Sequence, residues 1–147
     1  MVVYLITNKI WTMNLDELIA VSGLPGLFRM AGNRPNGLIV EDLDTGKKKF
    51  VSMRKHQFSP LETIAIFTTT DSVPLLDILR KMDERKSEIP PVDPKSNQET
   101  LRQYFTQILP EHDPHRVFPK DIKKILKWFS FLDDRNMLQG KTSDEEE

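Results

Sequence analysis

Cysteine is absent from this 147-residue chain. That removes disulfides, thiolate metal ligands and cysteine nucleophiles together, and it fits a reducing cytoplasm. No apolar run approaches the roughly 18 residues that a membrane-spanning helix needs, so no membrane partner is expected. The opening "MVVYLITNKIW" has no basic segment ahead of its short apolar patch and no small-residue cleavage pattern, which makes it a poor signal peptide. The expected compartment is the cytoplasm.

A charge excess is also missing. The formal net charge is −1, which excludes the overall basicity of many nucleic-acid binders. Its distribution is uneven: Gly23 to Thr70 holds seven Lys/Arg against four Asp/Glu, and Lys141 to Glu147 holds one Lys against four acids. Such a distribution suits either an anionic partner or ordinary solubility. At 38% apolar and 29% charged residues the composition is that of a soluble globular protein, at the lean end for core material. One compact domain fits this length, or two very small ones that would each be marginal.

The motifs of common chemistry are absent or incomplete. Gly32 and Gly37 have the separation of a phosphate-binding loop, but Leu38-Ile39 stands where Lys-Ser/Thr belongs. Asp44-Thr45-Gly46 matches the triplet of aspartic proteases, which need two such aspartates sharing a proton. Here Lys47-Lys48-Lys49 follows it, and the triplet falls where a hairpin turn is required. His112 and His115, with Glu111 and Asp113, offer metal-ligand types, but in a loop holding Pro114 and without a third histidine nearby. Surface or helix-end hydrogen bonding is the simpler role for them. His56 has no triad partner. The expectation is no catalytic residue, no cofactor and no metal.

What is present is a clear order of segments. Asn14-Leu15-Asp16-Glu17 has the form of a capping box, and Leu15, Leu18 and Ile19 give a helical stripe that Gly23 and Pro25 would stop. Residues 1–12, with Tyr4 and Trp11, read as an extension or flexible arm. Leu27–Ala31, Leu38–Leu43 and Lys48–Met53 have strand composition, joined by turns at Asn36-Gly37 and Asp44-Thr45-Gly46. Alternation places Phe28, Met30, Leu38, Val40 and Phe50 inward, and Ile39, Val51 and Met53 on the opposite face. Ser59–Glu62 reads as one helical turn and Ile64–Thr69 as a last strand. The resulting expectation for 13–86 is an SH3-like β-barrel or meander with helices on both flanks, the second carrying Leu75, Ile78, Leu79 and Met82.

"SEIPPVDPKS", with three prolines, is the linker at 87–96. A helical module follows over 97–139. Its first helix is capped at Ser96-Asn97-Gln98-Glu99 and buries Leu101, Tyr104, Phe105, Ile108 and Leu109. Its last runs from about Asp121 to Met137 and buries Ile122, Ile125, Leu126, Phe129 and Leu132. Residues 140–147 are an acidic tail expected to be disordered. The fold class is therefore α+β, a small barrel followed by helices.

Arg29, Arg34, Lys47, Lys48, Lys49, Arg54 and Lys55 are the candidate partner-binding residues of the β region, where several could converge to meet phosphates. A second patch is Lys123, Lys124 and Lys127 on the outer side of the last helix, with Phe131 and Trp128 near them. Phe131 lies about opposite Phe129 on the helical wheel, so it is either a second core contact or an exposed anchor. Solvated polar faces are the alternative for both patches.

"MNLDELIAVSGLPGLF", "NGLIVEDLDTGKKKFV", "VPLLDIL", "DPKSNQETLRQYFTQILP" and "RVFPKDIKKILKWFSFL" together resemble an uncharacterised family of small Bacteroidota proteins. The resemblance implies a domain of unknown function followed by a short helical module, beginning near Met13, in a cytoplasmic protein. It carries no activity, ligand or site residue. The expected function is a non-enzymatic binding or adaptor protein with a protein or ribonucleoprotein partner. Nucleic-acid binding by the basic rim is the alternative, and an enzyme of unrecognised type the second alternative. The sequence gives no oligomeric state.

Overall fold

The computed structural model describes residues 15–138. The expected arm at 1–12, the Asn14 cap and the acidic tail at 140–147 lie outside them. The described residues divide into two compact units, 15–63 and 64–138. This boundary falls inside the span 13–86, at Ile64, whose carbonyl oxygen accepts from the Leu75 amide at 2.9 Å and ties the following hairpin to the first helix.

The first unit is an antiparallel five-stranded sheet in the order β4-β3-β2-β1-β5. Its strands are β1 (Leu18–Val21), β2 (Phe28–Arg34), β3 (Gly37–Asp42), β4 (Lys48–Ser52) and β5 (Phe58–Pro60), with 3-10 turns at Leu15–Glu17 and Leu61–Thr63. Among the described residues the sheet does not close into a barrel. The helix expected over Leu15–Ile19 is replaced by the first 3-10 turn and β1. β1 pairs on both edges, with β2 through Ile19↔Phe28 and with β5 through Val21↔Phe58. A central strand buried on both faces reads as a continuous apolar run, and a short run of that kind does not distinguish strand from helix. Gly23 accordingly serves a turn, at φ +83° with the Leu24 amide donating to the Val21 carbonyl oxygen, and stops no helix.

Register decides which side chains face inward. Ile19, Val21, Phe28, Val40 and Val51 form the core, with Leu24, Leu38 and Phe58 against it. Each fully buried side chain of this kind contributes about 1.5–3 kcal/mol. Val51 lies opposite Leu38 and so faces the core, while Phe50 lies opposite Ile39 on the outer face and is exposed. The expected inward positions of Phe50 and Met30 are therefore corrected. Met30 sits at a register shift in the β2–β3 ladder, and a bulge re-aims its strand.

The second unit holds the hairpin β6 (Ala65–Phe67) and β7 (Ser72–Pro74), then α1 (Leu75–Glu84), α2 (Gln98–Ile108) and α3 (Pro119–Asp134). The strand expected at Ile64–Thr69 thus pairs with β7 and not with the larger sheet. Its core comes from one stripe of each helix: Leu75, Ile78, Leu79 and Met82; Leu101, Tyr104, Phe105 and Ile108; Ile122, Ile125, Leu126, Phe129 and Leu132. Asn97 caps α2, its side-chain oxygen accepting from the Thr100 amide at 2.8 Å. At α3 Pro119 occupies the first turn, and Asp121 Oδ2 accepts from the Phe118 amide at 2.8 Å. Lys86, just past α1, donates to Asp133 on α3 at 2.8 Å. That bond, then one to Asp83, raises the Lys86 pKa.

Candidate binding surfaces

The first candidate surface follows from the β ladder. Leu18, Arg29, Glu41 and Lys48 lie in one row across β1 to β4. Arg29 also pairs at 3.5 Å with Glu17, in the 3-10 turn ahead of β1. Lys48 and Lys49 point to opposite faces, as strand alternation requires. The Lys49 ammonium lies 5.4 Å from the Phe28 ring centre, at the rim of the core. Lys47 belongs to the turn before β4.

Arg34, Arg54 and Lys55 gather at the other end of the sheet, where the Met53 amide donates to the Asn36 carbonyl oxygen at 3.0 Å. The two ends are separated by β3, about 17 Å long. The seven cations do not converge on one point; they flank β4 from both ends. Exposed Phe50 and Met53 lie between or beside them, at 45% and 59% exposure.

The Asp44-Thr45-Gly46 triplet is the β3–β4 turn. Asp42 Oδ1 accepts from the Asp44 and Thr45 amides at 2.8 and 2.9 Å, and Gly46 has φ +75°. The amides that would surround a reacting carboxylate are engaged in holding the turn.

The second candidate surface is one side of α3. Lys120, Lys124, Lys127 and Phe131 recur at helical spacing, with Lys123 beside them, and all four lysines are exposed. They span about 10 Å of helix. Phe131 is half-buried, with the Arg135 guanidinium 3.6 Å from its ring centre, while Phe129 is buried in the core. The aromatic residue most available on this side is Phe118, 46% exposed and not anticipated from the sequence. Phe118, Pro119, Lys120, Lys123 and Gln98 line an open groove of about 440 Å³. A residue just ahead of a Pro-initiated helix lies outside any periodic stripe, so no pattern marked it.

The loop histidines part company. His115 is exposed, whereas His112 is buried at the end of α2. Its Nδ1 donates to the Leu109 carbonyl oxygen at 2.8 Å, leaving Nε2 to accept from Arg102 at 3.3 Å. The Phe105 ring meets it edge-on at 5.1 Å. Arg102 also donates to the Val117 carbonyl oxygen at 2.7 Å, so this cluster pins the loop between α2 and α3. Asp113 caps the same loop; the His115 amide and then Arg116 lower its pKa. Among the described residues no group of three or more His, Asp or Glu is placed to hold a metal, and no helix is long and apolar enough to cross a membrane.

An antiparallel sheet followed by three helices, with lysine-rich exposed faces, defines a class of small α+β protein. Residues 15–61 match one domain of unknown function (DUF5606), and residues 64–132 match another (DUF6852). The chain is similar to a protein from Bacteroides vulgatus solved in solution by NMR, at 29% identity over 84% of this chain and 88% of that one, with a TM-score of 0.66. No curated protein matches it. The two domain matches and the Bacteroides vulgatus structure together support a similarity to an uncharacterised family of Bacteroidota-type proteins.

Proposed function

We propose that this is a non-enzymatic cytoplasmic binding or adaptor protein whose partner is a protein or a ribonucleoprotein. The observation that carries the reading is the outer side of α3: four exposed lysines within two turns, beside the exposed Phe118 and its groove. A basic helix face with a lateral aromatic suits an acidic partner surface that also offers an apolar side chain. The groups with displaced pKa support the same reading, because each has a local structural cause. Lys86 is held by Asp133 and Asp83, Asp113 by the His115 amide and Arg116, and Tyr104 by burial.

The sheet is read as an SH3-like meander, supported by its order. The chain runs β1 to β4 as successive neighbours, and β5 returns to the free edge of β1. That likeness is an argument about fold, and the function is argued from the surfaces.

The test is a pull-down with the tagged full-length chain at two salt concentrations, with and without nuclease. It is repeated with Lys123, Lys124 and Lys127 changed to Glu. Partners that survive nuclease and are lost from the triple variant support the proposal. Retention abolished by nuclease, with a steep salt dependence, assigns the face to RNA or DNA instead. Partners unaffected by the triple variant overturn the role of α3.

A further inference from the structure

We propose that the outer edge of β4 is a strand-addition site for an extended acidic segment with an apolar centre. The proposal rests on the binding reading in general but on a surface separate from the lysine face of α3.

Backbone register supplies the first argument. β4 is an edge strand; among the described residues it pairs only with β3. The Asp42 amide donates to the Lys47 carbonyl oxygen at 2.8 Å, and the Met53 amide to that of Asn36 at 3.0 Å. Both contacts belong to the register that pairs Gly37 with Ser52 and Val40 with Lys49. Hydrogen-bonded pairs alternate along an antiparallel ladder, so Lys49 and Val51 direct their backbone groups at β3. Lys48, Phe50 and Ser52 direct theirs outward. The Ser52 carbonyl oxygen accepts from the Lys55 and His56 amides within the turn. The outward groups of Lys48 and Phe50, with the Ser52 amide, form an edge two to three residues long.

Charge complementarity names the occupant. Residues 47–55, Lys-Lys-Lys-Phe-Val-Ser-Met-Arg-Lys, contain five cations and no acid. Edge lysines discourage pairing with a like strand. Two copies of residues 47–55 paired antiparallel would bring ten cations together, so a second copy is disfavoured. An acidic strand meets no such repulsion. Cross-strand neighbours share a face, so acids fit opposite Lys48 and Lys49 at one end and near Arg54 and Lys55 at the other. Opposite Phe50, exposed on the outer face, an apolar side chain fits. Affinity then comes from the main chain and selectivity from this pattern of acids around an apolar centre.

The test uses the full-length chain and a fluorescent nine-residue peptide with Thr-Val-Val at its centre and three glutamates on either side. Binding is followed by anisotropy and by amide hydrogen exchange. The expected result is salt-sensitive binding, with the amides of Lys48, Phe50 and Ser52 slowed at least about tenfold. Those of Lys49 and Val51, already bonded to β3, change little. N-methylation of alternate peptide residues should abolish binding in one register and spare it in the other. Lys48→Gln with Lys49→Gln, which removes both charges without setting an acid opposite Glu41, should weaken binding about tenfold.

Binding without slowed edge amides, tolerance of N-methylation in both registers, or no binding overturns the proposal. So does oligouridine bound more tightly than the peptide, which would make the segment a nucleic-acid site. If only this edge fails, the pull-down response to the α3 variant persists; if the binding reading itself fails, both are lost.

Discussion

A Cβ on Gly37 would overlap the Val51 carbonyl oxygen and come within 2.8 Å of the Phe50 ring. The sequence marks Gly37 as a turn residue because Asn-Gly favours positive φ, yet neither Asn36 nor Gly37 has it. Pro35 fixes its own φ near −65°, so the connection is not a primed turn, and the glycine is needed for close approach of β4. Gly37→Ala should therefore cost about 2–3 kcal/mol in urea unfolding. Gly32→Ala, whose nearest contacts would lie at 3.7 Å, should stay within about 1 kcal/mol. Equal losses in the two variants would refute the steric account.

Tyr104 makes a second residue-scale case. Its hydroxyl is buried with no hydrogen-bond partner among the described residues, and burial pushes its pKa from 10.0 up to about 12. A phenol raised in the folded state keeps its proton while the unfolded chain loses it. The stability difference is therefore absent below pH 10 and grows as pH rises from about 10 to 12, against the folded state. Within that window the loss approaches roughly 1.4 kcal/mol per pH unit. Tyr104→Phe should be neutral or stabilising at pH 7 and should remove this alkaline component. Melting curves of both proteins between pH 8 and 12 check it; parallel curves throughout would count against it.

At the scale of elements, what was legible was local. The stripes of α1, α2 and α3 are written within one or two helical turns, so sequence spacing finds them. The ends are less sharply written: the α2 cap falls on Asn97 within the expected Ser96–Glu99 box, and α3 runs from Pro119 to Asp134 against an expected span of about Asp121 to Met137. β1 was not legible, because what makes it a strand is pairing with Phe58–Pro60, some forty residues on. The candidate cations of the β region were individually visible, but their placement at two ends of β4 depends on register, which alternation alone assigned wrongly for Phe50 and Val51. Phe118 carried no periodic signal at all. The α2 cap offers a clean test of the local reading: Asn97→Ala should lower stability by about 1 kcal/mol, and Asn97→Asp should retain it, by chemical denaturation. No difference between Ala and Asp would mean the cap bond contributes nothing.

For the whole molecule, the division at 63/64 coincides with the two family matches, 15–61 and 64–132. The two units differ in what they bury. Residues 64–138 carry stripes from three helices, including Phe105, Phe129, Met82 and ten Leu or Ile side chains, with the His112–Arg102 cluster fixing the loop between α2 and α3. Residues 15–63 bury Leu15, Leu18, Ile19, Val21, Leu27, Phe28, Val40, Val51 and Leu61, on a single sheet and the turns beside it. A chain of about 60 residues buries only some 60% of its unfolded surface, and much below that size a lone core is insufficient. Expressed separately, residues 64–138 should give a helical circular-dichroism spectrum and a cooperative melt. Residues 15–63 should give neither a cooperative melt nor dispersed amide resonances. His112→Ala in the 64–138 fragment should cost about 1–2 kcal/mol, because the Leu109 carbonyl oxygen keeps only the backbone amide of residue 112 as donor and Arg102 keeps only the Val117 carbonyl oxygen as acceptor. A 15–63 fragment that melts cooperatively would show that the open sheet suffices for its own stability, and the size argument would fall.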